Sequence, residues 1–155
     1  MTIEQFNNNL RTINPMQLLF DVANEIKQPL VDKTLGNLEI GRMPDGSAIT
    51  SKYTGKSTYS SSWSKERKAR GLQVSFFDLR YTGDLYKALY IKNVKKGTSL
   101  NLSMTVNGAK NHNKLLDLGD MFGSITGFTE DAMKTFKYDL EKGFVAKLKQ
   151  RMFAK

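Results

Sequence analysis

A chain of 155 residues with 39% apolar side chains, nine Phe and six Tyr can supply one ordinary core, and no run approaches the roughly 18–20 apolar residues that span a bilayer. Zero cysteines exclude disulfides, thiolate metal sites and thiol nucleophiles, and a single histidine, His112, excludes paired-imidazole zinc chemistry. The net charge of +9, from 24 Lys and Arg against 15 Asp and Glu, favours an acidic partner such as nucleic acid or an acidic protein surface.

The N-terminus, Met-Thr-Ile-Glu-Gln-Phe-Asn, has neither a basic head nor an apolar stretch, so a soluble chain that stays in the compartment of its synthesis is expected. Thr2 with Gln5 reads as a capping pair, and Ile3, Phe6, Leu10 and Ile13 follow at helical spacing. Asn14-Pro15 interrupts this helix and starts a second, carrying Leu18, Leu19, Val22, Ile26 and Leu30 on one face. Pro29 should kink or end it, because its ring removes an N–H and crowds the preceding turn. Leu35 to Ile40 fits a short strand or one more helical turn.

Residues 41–62 differ in kind. Gly41, Pro44-Asp45-Gly46-Ser47 and the tract Ser57 to Ser62 predict a long turn-rich loop, mobile until bound, of the length that is usually functional or disordered. From Gly46 to Gly71 there are six cations, Lys52, Lys56, Lys65, Arg67, Lys68 and Arg70, against one anion, Glu66, so over half of the net charge sits in this segment. Trp63 to Arg70 predicts a short, exposed basic helix.

Leu72, Val74 and Phe76 then alternate with Gln73 and Ser75, the pattern of a strand with one buried face. Thr82-Gly83-Asp84-Leu85 predicts a capped turn carrying Leu85, Tyr86 and Leu89. Ala88 to Val94 and Ser99 to Val106 predict a hairpin around Lys95-Lys96-Gly97-Thr98. Asn107-Gly108 ends it, His112 falls in a polar loop, and Leu115 to Phe122 is an apolar segment. Thr129 caps a last helix with Glu130 and Asp131 in its first turn, and Met133, Phe136, Leu140, Phe144, Leu148 and Met152 form a stripe expected to pack across the sheet. The expected fold is α+β: one domain over residues 1–155, with a small antiparallel sheet flanked by N-terminal helices and a long C-terminal helix, and an extended loop at 41–62 before the sheet.

Catalytic groups are hard to assemble from these residues. His112 stands between two lysines with no partner of the kind catalysis needs, and Asp84 is explained by the helix start that follows Thr82. Asp78 and Asp84 as paired carboxylates for glycoside chemistry are the weaker reading. Thr54-Gly55-Lys56-Ser57 is only the tail of a phosphate loop, because position 50 is Thr rather than Gly. No catalytic residue, metal or cofactor is expected. The cations with Tyr53, Tyr59 and Trp63 interleaved suit either an acidic protein neighbour or a nucleic-acid backbone with stacked bases.

The stretch from Trp63 to Gly71, a few apolar residues, then Leu79-Arg-Tyr-Thr-Gly-Asp-Leu-Tyr86 resembles the tail-completion, or virion-morphogenesis, proteins of tailed bacteriophages. In that family a Lys/Arg-rich stretch precedes a Leu-x-x-Thr-Gly-x-Leu motif, matched here by Leu79, Thr82, Gly83 and Leu85. Pro44-Asp45-Gly46, and Met121 to Gly123 through Gly127 to Asp131 before the final helix, follow the family's order. Residues 47–62 depart from it, being rich in Ser, Tyr and Lys where many members have a Trp-Pro-Leu-like segment. The resemblance implies a structural protein of the head-tail junction or neck, forming a homo-oligomeric ring, without catalytic residues. Implied partners are copies of itself, other neck, portal or tail proteins, and packaged DNA, with no membrane; implied locations are the virion and, before assembly, the host cytoplasm. Lys52, Lys56, Trp63, Lys65, Arg67, Lys68 and Arg70 are the expected contact surface, and a basic nucleic-acid-binding module is the alternative.

Overall fold

The computed structural model describes residues 2–80 and 82–154. Among them the architecture is α+β, with seven helices and one two-stranded antiparallel sheet. Helix α1 (Ile3–Thr12) opens with a complete capping box between Thr2 and Gln5. Helix α2 (Pro15–Ile26) is capped by Asn14, whose side chain accepts from Gln17 N–H, with Pro15 at the first helical position. The chain breaks at Lys27, and α3 (Gln28–Glu39) begins with Pro29 in its first turn, where the missing N–H costs nothing. Leu35 to Glu39 therefore extends a helix rather than forming a strand.

Residues 41–60 are turns with one isolated bridge, Arg42 to Ala48, and they are anchored by Ile49 and Ser51, 1% and 6% exposed. Helix α4 (Ser61–Ala69) follows, capped by Ser60. The strand expected over 72–76 is absent. Its backbone groups are satisfied locally instead: the Gln73 side-chain amide donates to the Phe76 carbonyl at 2.7 Å, and the Gln73 carbonyl accepts from Arg67 Nε at 2.9 Å. Alternation alone cannot tell a ladder from a loop whose polar groups are bonded by side chains.

Helix α5 (Asp84–Ala88) is a single short turn leading into β1 (Leu89–Lys96) and β2 (Ser99–Val106), paired from Leu89 with Val106 to Lys96 with Ser99. Helix α6 (Ala109–Phe122) includes His112, correcting the polar loop expected there. The low helix propensity of Asn111-His112-Asn113 is outweighed by the packing of Leu115, Leu118 and Phe122 on the core. His112 itself is exposed. Helix α7 (Glu130–Met152) is capped by Thr129, with Glu130 and Asp131 in its first turn.

The position of α7 differs from expectation. It packs on α2, α1 and α3, while α2 and α3 lie against the hairpin. Two strands spaced about 5 Å apart make too narrow a platform for a 23-residue helix, so the platform is α2. A Cβ added to Gly143 of α7 would stand 2.7 Å from a Val22 methyl carbon, which shows how closely the two helices approach. The core joins both sides, with Ala23, Leu30, Val31, Leu38, Ile91, Val106, Ile125 and Phe136 in one cluster. Helix α1 rests on the far end of α7: the Phe6 and Phe153 rings are 5.9 Å apart, and the Asn9 amide donates to the carbonyls of Met152 and Ala154.

Candidate interaction surface and its buried ion pair

The basic helix α4 has two unlike faces. Lys65, Lys68 and Arg70 are exposed, and Trp63 retains 48% of its surface to solvent. Arg70 pairs with Glu66 one turn earlier, at 3.4 Å on the exposed side. Arg67 is 2% exposed and belongs to the interior. This overturns its place on the expected contact surface, and its guanidinium instead gathers the segment that follows the helix.

Arg67 Nη2 donates to Asp78 Oδ1 at 2.7 Å, Nη1 to the Arg80 carbonyl at 2.7 Å, and Nε to the Gln73 carbonyl at 2.9 Å. Its central carbon lies 4.1 Å from the centroid of the Tyr59 ring. The fork of a guanidinium satisfies several acceptors in fixed directions, which an ammonium on a flexible stem does not. Tyr59 Oη donates to Asp78 Oδ1 at 2.8 Å, and the Asp78 carbonyl accepts from the Tyr86 hydroxyl. Asp78 is thereby structural, as a buried carboxylate with a charged partner and further donors should be. Burial, with the Asp78 bond and charge adding to it, pushes the Tyr59 phenol up to about 12, and burial likewise raises Tyr86.

The knot also holds an unusual backbone. Leu79 has φ of +57°, a left-handed conformation that costs a Cβ-bearing residue about 1–3 kcal/mol. It is straddled by fixed points: Arg80 N–H donates to Asp78 Oδ1 at 3.1 Å, and the Arg80 carbonyl is held by Arg67. Gly83, at φ of +79°, is the residue preceding α5, while the Thr82 hydroxyl donates to Asp84 Oδ2 at 2.8 Å. Thr82 thus orients the acid of the first turn, and Gly83 takes the cap position expected of Thr82. Leu85 is buried. Leu79, Thr82, Gly83 and Leu85 line one groove of about 270 Å³ with Tyr86 and Leu118, so the motif is brought together at the α5–α6 junction.

The remaining expected residues divide. Lys52 closes the end of α6: its N–H donates to the Met121 carbonyl at 2.8 Å, one of those a helix end leaves unpaired, and its Nζ donates to the Gly119 carbonyl at 3.0 Å, which also accepts from the Gly123 N–H. Lys56 is exposed, as is Tyr53 at 75%. Of the expected surface, Lys52 and Lys56 are thus exposed in the loop before α4, and Trp63, Lys65, Lys68 and Arg70 are exposed on α4 and its C-cap, whose inner side is pinned by Arg67. The knot left only a partial trace in the sequence, a lone Asp in an apolar run eleven residues after an Arg.

Among the described residues no group of three or more His, Asp and Glu side chains is placed to hold a metal, and no helix is long and apolar enough to cross a membrane. Comparison with known families, curated proteins and solved structures gave no match.

Proposed function

We propose that this chain is a structural component of the head-tail junction of a tailed-phage virion, a tail-completion or neck subunit that joins a homo-oligomeric ring. The observation that carries the reading is the succession of basic helix and Leu79-x-x-Thr82-Gly83-x-Leu85 turn. Its support from the geometry is a division of labour. The motif residues shape a junction between elements, and the charged side chains beside it, Lys65, Lys68 and Arg70 with Trp63, are exposed. Rings are built from heterologous contacts, in which one face of a subunit meets a different face of the next, and an exposed cationic helix face anchored from within by Arg67 suits such a contact. In this reading the protein acts by binding other neck, portal or tail subunits, without catalysis or cofactor, in the virion and in the host cytoplasm before assembly.

The test is composition and mass. The chain should be found in purified particles, and electron microscopy of the neck should show it as a ring; its absence from particles refutes the proposal. Reversing Lys65 and Lys68 to Glu, with Arg70 left in place because it pairs with Glu66, should block incorporation while leaving the unfolding midpoint near that of wild type, since both lysines are exposed. A second reading, a nucleic-acid-binding module, is favoured by the exposure of Tyr53 and Trp63 among these cations. It requires DNA affinity that falls steeply with salt and is lost in the same variant.

A further inference from the structure

Two helices turn complementary faces to solvent. On α6, Leu116 and Asp117 stand four and three residues before Asp120, so the three share one face, and Met121 borders it. On α7, Tyr138, Lys142, Val145 and Lys149 follow one another at steps of four, three and four, a single line along the helix. All eight side chains are exposed, the four apolar ones by between 41% and 58%. Apolar residues scattered singly over a surface are ordinary, but these recur beside charge of one sign on each helix.

Neither set of charges is used up within the subunit. Cations near the acids of α6 are engaged elsewhere: Lys114 pairs with Asp84 at 3.9 Å, and Lys52 has its Nζ on the Gly119 carbonyl. A carboxylate in the last turn of a helix opposes its dipole, so Asp120 is not explained by α6 itself. On α7, Asp139 and Glu141 precede Lys142, but from there to Met152 the helix carries Lys142, Lys147, Lys149 and Arg151 without an acid. Among the described residues only Lys147 of these four forms an ion pair, with Glu25. Lys142 lies over the Tyr138 ring, its Nζ 4.9 Å from the centroid.

Helix α6 packs on β2 and α5, and α7 on α2, α1 and α3, so the two faces belong to different parts of the molecule. We propose that the outer face of α6 docks on the outer face of α7 in a second copy of this chain, Asp117 and Asp120 meeting Lys142 and Lys149 around a centre of Leu116, Met121, Tyr138 and Val145. Charge disfavours the like pairings, because α6 on α6 sets acids against acids and α7 on α7 sets lysines against lysines. The joint is therefore heterologous, and it forms a ring when the rotation it repeats closes. The inference rests on the ring reading and deepens it by naming the contact between copies, which leaves the cationic face of α4 for other partners.

The test is charge exchange, read as mass by light scattering on the full chain. Wild type should form assemblies of more than two chains. Asp117→Lys with Asp120→Lys, and separately Lys142→Glu with Lys149→Glu, should each leave monomers of 17.5 kDa. Their unfolding midpoints should stay near that of wild type, because all four residues are exposed. The chain carrying all four changes should assemble again, a rescue that a loss of folding cannot produce. Mixing the two double variants should also restore assembly, since each supplies the charge that the other has lost. A wild type that stays monomeric overturns the proposal, even where Lys142→Glu with Lys149→Glu blocks its incorporation into particles, because α7 then serves a different neck subunit. So does an assembly whose mass survives either double change, although the ring reading then stands, and so does the absence of rescue in both the fourfold variant and the mixture. A dimer with the same dependence on charge keeps the contact and removes the ring. Rescue in a chain absent from virions keeps the contact and removes the phage reading.

Discussion

Arg67 shows how a residue's neighbours decide its role. A cation in a basic run is ordinarily solvated, but this one has its three nitrogens assigned to Asp78, Arg80 and Gln73. Arg67→Met should cost about 3–5 kcal/mol in denaturant unfolding, because it strands a buried carboxylate. Arg67→Met with Asp78→Leu should recover part of that loss, since the unpaired charge goes too. The pH dependence follows from Tyr59. Its folded-state pKa, raised from 10.0 to about 12, lies above the unfolded value, so its stabilisation is complete below pH 10 and is lost as pH rises from about 10 to 12. Unfolding midpoints across that window should fall with pH, and Tyr59→Phe should flatten part of the fall, Tyr86 supplying the rest. That variant keeps the ring over Arg67 and loses a bond to a charged acceptor, at a cost of about 1.5–3 kcal/mol at neutral pH.

At the scale of elements, the tightest constraint is where α2 meets α7. Alanine is a better helix former than glycine by about 1 kcal/mol, yet a Cβ at position 143 would stand 2.7 Å from a methyl carbon of Val22, a side chain stiff at χ1 and buried. Overpacking of this kind costs about 1–3 kcal/mol, so Gly143→Ala should be destabilising by roughly 1 kcal/mol on balance. Combined with Val22→Ala it should cost less than the sum of the two single changes, as measured by a double-mutant cycle. Elements whose signals are local were legible in the chain: the Thr2, Asn14 and Thr129 caps, the Pro15 start, and the hairpin with its period of two. What depended on distant partners was not. Leu72 to Phe76 alternates like a strand, but a strand exists only where an edge receives it, and here Arg67 and Gln73 take the backbone groups. The stripe of α7 showed that the helix packs and not upon what. The surface was half legible, since composition located Lys65, Lys68 and Arg70 but had no means of removing Arg67 or of assigning Lys52 to the end of α6.

For the whole molecule, α2 is the central element, with the hairpin and α7 both packed against it. Surface and scaffold are correspondingly separate. The knot around Asp78 stabilises the chain without being reachable, while Lys65 and Lys68 are reachable and exposed to solvent. Variants on the exposed face of α4 should therefore report on binding, and variants in the knot on folding.

The pairing of α2 with α7 also has a bearing on biosynthesis. More than a hundred residues separate Ile26 from Glu130, and a ribosome adding about 5–20 residues per second needs on the order of ten seconds to make them. Through that interval Val22 has been translated and its cover has not. The nascent chain thus presents an apolar helix to whatever is nearby, and chaperone contacts mapped during translation should centre on α2 until α7 emerges.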